Sequence, residues 1–270
     1  MRTNPLSMLR VIVLLLALPI AELWAQSYPQ TATPEDLELK DLDLTTWDCR
    51  DKSEGLAKTQ DGKERNPQKN RPPVDLAGIN IPSLDIAGFL AKVVAYDQKI
   101  GAKHRRDLAA EQKEQLITFE KEIVSVTGWL IMAYPSWPPE TTNCKSDKIR
   151  DWHLEMTSEP VDHAPQIGDP TAAVAEITPR TERTIYRSNI RIQNLAAFVR
   201  LPDNKTQATT GGKAHKIRVT GYLLWDDEHN GTYDVGTKVE RFTANGYHNP
   251  WRLSAWEIHP VLKIEDLGTK

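Results

Sequence analysis

Two C-terminal segments alternate apolar and polar residues with the period of half-buried strands, Lys216 to His229 (KIRVTGYLLWDDEH) and Leu253 to Ile264 (LSAWEIHPVLKI). The first has an echo upstream: Val124 to Met132 reads VSVTGWLIM, and Ile217 to Trp225 reads IRVTGYLLW. Two strands of one pattern, about ninety residues apart, predict one closed sheet in which they hold equivalent places. Further alternation places strand 1 over Ile123 to Ala133, strand 2 over Asp151 to Thr157 and strand 3 over Ala172 to Thr178, with the opening pair as strands 4 and 5. Between strands 3 and 4 a helix is expected, capped by Ser188, with Ile192, Leu195, Ala196 and Val199 on one face and Pro202 beyond its end.

Three strands, a helix and two strands is the order of the OB-fold, a five-stranded Greek-key barrel. Strand 1 of such a barrel bends to serve both halves of the sheet. Gly128 and Gly221, at matching places in the two echoes, permit the bend without a Cβ clash. The chain is therefore expected to be mainly β with helices. A signal peptide over 1–25, an irregular polar arm over 26–84 and N-terminal helices over 85–118 precede an OB-like domain over 119–270. Asp85 is placed to cap the first helix and Gly101 to stop it, and a second helix is expected over Arg106 to Ile117. The basic run Lys58 to Arg71 (KTQDGKERNPQKNR) reads as a solvated part of the arm.

Alternation also assigns faces. Trp152, Leu154 and Met156 share one face of strand 2, which leaves Asp151, His153 and Glu155 on the other. Glu176 of strand 3 and Glu257 and His259 of strand 5 fall opposite the apolar residues of their strands. The barrel order puts strands 2, 3 and 5 side by side. His153, Glu176, Glu257 and His259 are thus expected in one outward patch. Imidazole and carboxylate are ligands for zinc or a similar divalent ion, and the same groups also make a plain cross-strand hydrogen-bonded network.

The loops joining strands 1 to 2 and 4 to 5 flank the ligand face of this barrel, and both are long and aromatic here. Trp137 lies in the first; Asp226, Glu228, His229, Tyr247 and Trp251 lie in the second, where they are candidates for ligand contact. No GxSxG elbow, Walker loop, dinucleotide fingerprint or EF-hand loop occurs.

Composition narrows the setting. Arg2 and Arg10, an apolar run from Val11 to Ile20 and small residues near Ala25 form the pattern of a cleaved export signal, so a periplasmic or secreted protein is expected. Without residues 1–25, 32 basic residues face 36 acidic ones, a net charge of -4. That balance counts against nucleic acid, whose binders owe most of their affinity to positive charge. Cys49 and Cys144 are the two cysteines, an expected disulfide pair in an exported chain.

The segments TNCKSDKIRDWHLEM, VAEITPR, VTGYLLWDDEH and WEIHPVLKIE, in their order and spacing, resemble a group of exported bacterial proteins of unknown function. The resemblance covers about Glu122 to Glu265 and, more loosely, Gln68 to Pro72. It implies one OB-like domain and no particular reaction. The group often carries a paired CNC before the DWH segment, where this chain has Asn143, Cys144 and Lys145. Three readings follow from the residues: a binding or interaction module for an envelope saccharide, peptide or protein, a metal-dependent hydrolase built on His153, Glu176, Glu257 and His259, and a purely structural envelope protein.

Overall fold

The computed structural model describes residues 30–31, 44–101, 103–137, 139–200, 207–242 and 248–270. The expected signal segment and Tyr247 lie outside the described residues. In chain order the elements are β1 (Gln30–Thr31), α1 (Gln60–Lys69), β2 (Ser83–Asp85), α2 (Ile86–Ile100), α3 (Ala110–Glu120), β3 (Ile123–Pro135), β4 (Trp152–Thr157), β5 (Ala173–Ile177), α4 (Pro179–Arg187), β6 (Phe198–Arg200), β7 (Gln207–Thr209), β8 (Lys216–Trp225), β9 (Arg241–Phe242), β10 (His248–Asn249) and β11 (Trp256–Asp266). Among the described residues no helix is long and apolar enough to cross a membrane.

The strands β3, β4, β5, β11 and β8 pair in that order, and β8 pairs back onto β3, which closes a five-stranded barrel of OB type. The echo is its seam. Val124 faces Gly221 and Gly128 faces Ile217 across the antiparallel β3–β8 ladder, so the two similar segments are direct partners. Both glycines are required by close approach: a Cβ at Gly128 would lie 2.9 Å from Ile86 Cδ1, and one at Gly221 would lie 2.5 Å from the Pro260 carbonyl. The 13-residue β3 is long enough to serve two sheets. Its first half pairs with β8 and its second half with β4, with β6 joining in parallel at Met132 and Ala133.

The apolar faces fill the barrel with Val124, Val126, Leu154, Ala175, Ile177, Val219, Leu223 and Ile258. Helices α2 and α3 cover one side. Asp85 caps α2 by accepting from the Gly88 N–H, and Gly101, at φ 60°, ends it. Phe89 and Val93 are buried from α2, and Tyr96 stacks on Phe119 at 3.9 Å between ring centroids. Trp256 of β11 meets Tyr96 edge-on and donates through Nε1 to Asp97 Oδ1 at 2.7 Å.

Two expectations need correction. The helix between strands 3 and 4 is α4, earlier than the Ser188 start: Pro179 occupies its first position, and the Thr178 carbonyl accepts from Thr181 and Glu182. Ser188 follows its end. Ile192, Leu195, Ala196 and Val199 are buried as their spacing required, but they lie in a 3-10 turn, its exit and β6.

The second correction concerns the arm. From Leu44 to Arg71 it is a folded cover containing α1. Thr59 caps α1 by accepting from the Gly62 N–H. The buried positions of α1 are Asp61, Gly62, Arg65, Asn66 and Lys69, none of them apolar. Apolar periodicity therefore gives no trace of it. A disulfide between Cys49 and Cys144 fastens this cover to the loop after β3. Beside it, Trp47 donates through Nε1 to the Asn143 carbonyl at 3.2 Å, and Arg180 Nη2 donates to the Cys49 carbonyl at 2.8 Å.

Candidate functional site

Register places His153 of β4 directly opposite Glu176 of β5, and β11 lies beside β5 with Ile258 opposite Ala175. Glu257 and His259 flank Ile258 and so point to the same side as Glu176. The four expected residues do come together. His259 Nδ1 lies 2.8 Å from Glu176 Oε2 and 2.9 Å from Glu257 Oε1, and His153 Nδ1 lies 3.4 Å from Glu176 Oε1. They do not form an outward patch: Glu176, Glu257 and His259 are at most 1% exposed. The face is outside the apolar core of the barrel, yet α1 lies over it.

What fills the space is charge from α1. Lys69 Nζ is 2.9 Å from Asp226 Oδ2 and 3.9 Å from both Glu176 Oε2 and Glu257 Oε1. One helical turn earlier, Arg65 reaches Asp227 Oδ1 at 2.9 Å and Glu228 Oε1 at 2.6 Å. Arg252 Nη1 donates to Glu257 Oε2 at 3.0 Å, and Arg105 binds Glu120 and the Trp225 carbonyl. The buried charges around this face include the carboxylates of Glu120, Asp151, Glu176, Asp226, Asp227 and Glu257 and the cations Arg65, Lys69, Arg105 and Arg252. His259 adds a proton to the balance.

Burial and partners set the ionisation of each group. Burial lowers Lys69, but Asp226, Glu176 and Glu257 outweigh it and hold the ammonium well above its usual range. Burial raises Glu176, while His153, Lys69 and His259 hold it well below the carboxylate range. Asp226 is likewise held low against burial, by Lys69 and then Arg65. Burial lowers His153, against the upward pull of Glu176 and Glu257. Asp151 is pushed up to about 7, chiefly by burial.

For His259, burial acts downward and the carboxylates of Glu176 and Glu257 raise the pKa to about 9. A folded pKa above the unfolded value of 6.5 contributes stability that is fully present below pH 6.5 and is lost as pH rises through 9. The shift corresponds to about 3 kcal/mol. Urea unfolding in metal-free buffer is expected to show that loss between pH 6.5 and about 9.5, and His259→Gln should flatten it. An unchanged slope in the variant would assign the pH dependence elsewhere.

The expected ligand-contact residues divide. Asp226 is buried under Lys69, and Glu228, with a 62% exposed side chain, covers Arg65 from the solvent side. Neither is free to take a ligand. Trp137, in the loop between β3 and β4, is 62% exposed. His229 and Trp251 belong to a ring ladder at the barrel mouth. Tyr134 stacks on His153 at 4.9 Å between centroids, Trp251 follows His153 at 6.4 Å, and His229 meets Trp251 edge-on at 5.2 Å. Asp234 ties the outer end, accepting from Trp251 Nε1 at 3.2 Å and lying 3.5 Å from His229 Nδ1. Arg252 lies behind the Trp251 ring, 3.9 Å from its centroid.

Arg65, Lys69, Arg252 and Asp151 were not among the expected site residues. For α1 a signal exists: Asp61, Arg65 and Lys69 stand four residues apart, a helical stripe of charge facing an Asp-Asp-Glu turn. Asp151 shares the alternation of His153 and lies one residue before β4. Comparison of the chain with protein-family models, curated proteins and solved structures gives no match.

Proposed function

We propose that the chain is an exported binding module that holds an envelope saccharide against the ring ladder of His153, Trp251 and His229. The observation that carries this reading is the division of labour at the barrel mouth. The charged groups are committed to one another beneath α1, and beside them His229 and Trp251 are partly exposed, ring surface of the kind that sugar rings stack on. Asp234 offers a carboxylate at the rim of that surface, where it can accept from sugar hydroxyls. A disulfide and the resemblance to exported bacterial proteins support the compartment. Peptides or proteins of the envelope are the other ligands this surface suits.

The metal-dependent hydrolase ranks second. Hydrolysis needs an open coordination position and a route for substrate, whereas Glu176, Glu257 and His259 are buried and Lys69 stands between the carboxylates and α1.

Tryptophan-fluorescence titration of the protein with soluble cell-wall glycan fragments tests the proposal. Saturable quenching is expected, with Trp251→Ala weakening affinity by roughly tenfold or more, about 1.4 kcal/mol, without loss of the fold. Absence of binding across neutral and acidic glycans, or binding that Trp251→Ala leaves intact, would overturn it.

A further inference from the structure

We propose that the outer face of the strands β2, β3, β8 and β11 is a binding groove for a short extended peptide with a free C-terminal carboxylate and an apolar residue two positions before it. The groove has a volume of about 400 Å³, within the range of small-ligand sites, and shares no residue with the ring ladder. Its floor follows from register. Ser83 of β2 faces Ser125 of β3, Ser125 faces Thr220 of β8, and Thr220 faces Lys263 of β11, so one row crosses four neighbouring strands. Beside that row Arg218 faces Glu265. The alternate residues Val124, Val126, Ile217 and Val219 turn into the core, which leaves the row on the opposite side.

The chemistry of the lining changes in order across the row. At the β2 end the half-buried Leu76 and Ile81 form an apolar wall. In the middle Ser125 and Thr220, 6% and 4% exposed, bond to each other at 3.0 Å. Whichever hydroxyl accepts in that bond keeps its own hydrogen for a ligand carbonyl, and both keep lone pairs for a ligand N–H. At the far end stand Arg218, Lys263 and Glu265, two cations and one carboxylate. The ligand that answers this order is apolar at one end, an amide in the middle and an anion at the other end.

Arg218 is the group that the protein leaves open. Its Nε has no hydrogen-bond partner among the described residues, and Glu265 Oε2 is 3.8 Å from Nη1, beyond hydrogen-bond reach. Glu265 gives its nearer contact to Lys263, 3.1 Å away. A guanidinium with free N–H groups takes a carboxylate in a bidentate pair, and Lys263 adds a second positive charge beside it. Neighbouring strands are about 4.8 Å apart, so Arg218 on β8 is roughly 10 Å from the wall beside β2, the length of about three extended residues. This sets the placement. The carboxylate lies on Arg218, the intervening amides lie over Ser125 and Thr220, and the side chain two residues earlier covers Leu76 and Ile81.

The full chain is titrated with N-acetyl-Leu-Ala-Ala by calorimetry at neutral pH and low salt. One saturable site per chain is expected. The C-terminal amide of the same peptide, and the free acid on Arg218→Gln, should each bind at least about tenfold more weakly. N-acetyl-Gly-Ala-Ala, which leaves the apolar wall uncovered, should bind roughly five- to tenfold more weakly. Glu265→Gln should tighten binding about two- to threefold, because it removes the negative charge beside Arg218 and Lys263. Lys63→Ala, an exposed cation on α1, should change nothing. Arg218 is 38% exposed, so Arg218→Gln should melt with the parent; if it does not fold, the acid and amide peptides decide on the parent chain. Absence of saturable binding, an amide as tight as the acid, or an affinity that Arg218→Gln leaves intact would overturn the proposal. So would a glycine peptide as tight as the leucine one, weaker binding in Glu265→Gln, or binding lost in Lys63→Ala. Octanoate, which has a carboxylate and an apolar chain but no amides, should bind more weakly than the tripeptide, and equal affinity would likewise overturn it.

Discussion

Replacing Lys69 with alanine is expected to destabilise the protein by about 3–5 kcal/mol, the cost of leaving buried carboxylates without their partner. Lys69 is 6% exposed, and its ammonium stands among Asp226, Glu176 and Glu257 at 2.9, 3.9 and 3.9 Å. Removing it strips a cation from a set of buried charges in which carboxylates already outnumber the permanent cations. Water cannot make good the loss while α1 stays in place. For a chain of this size the change should lower Tm by roughly 10 °C. Lys63, exposed on the same helix, is the control, and Lys63→Ala should stay within about 0.5 kcal/mol of the parent. Asp226→Asn in the Lys69→Ala background should recover part of the loss, because it removes the closest unpaired carboxylate. A loss below about 1 kcal/mol in Lys69→Ala would mean that α1 is not the counter-charge of this face.

The same balance explains how much of the fold could be read beforehand. The five barrel strands and their order follow from alternation, because each strand buries one face in a single apolar core and leaves period two in the sequence. The β3–β8 seam was legible for a different reason. Partners in an antiparallel pair meet equivalent surroundings, and Gly128 and Gly221 mark the two close approaches. The α2 cap and stop were legible in Asp85 and Gly101, whose chemistry is local.

What escaped was specified by non-local charge. Helix α1 exposes no apolar stripe, and it is held down by Arg65 and Lys69 reaching residues more than a hundred positions away. Its sequence therefore looks like a solvated basic run. Alternation correctly set His153, Glu176, Glu257 and His259 on one side of the sheet. It carried no information on whether that side meets water or another segment. The α4 region shows a third limit. Ile192, Leu195, Ala196 and Val199 are spaced for a helical face and are all buried, yet Asn189 at φ 61° breaks the chain direction before them, and the same spacing is met by a turn leading into β6.

Loss of the Cys49–Cys144 bridge is expected to lower the unfolding free energy by about 4–5 kcal/mol, the loop-entropy value for a ring of this length. The bridge spans 95 residues and encloses α1, α2, α3 and β3, so reduction frees the unfolded chain of a large constraint. The folded state loses little, because contacts on both sides of the bridge remain. Trp47 still donates to the Asn143 carbonyl, Leu56 N–H to the Thr141 carbonyl at 2.9 Å, and Arg180 to the Cys49 carbonyl. The effect should therefore appear in the unfolded state. Urea denaturation of the Cys49→Ser, Cys144→Ser double variant should show a lower midpoint together with a larger m value, since the unlinked chain exposes more surface on unfolding. Hydrogen exchange in residues 44–71 separates this outcome from the alternative, in which α1 detaches while the barrel stays folded. Under the expected mechanism the α1 amides keep protection that falls only in step with global stability. Fast exchange confined to 44–71, with the barrel midpoint unchanged, would mean that the bridge holds the cover in place and contributes nothing to the barrel beneath it.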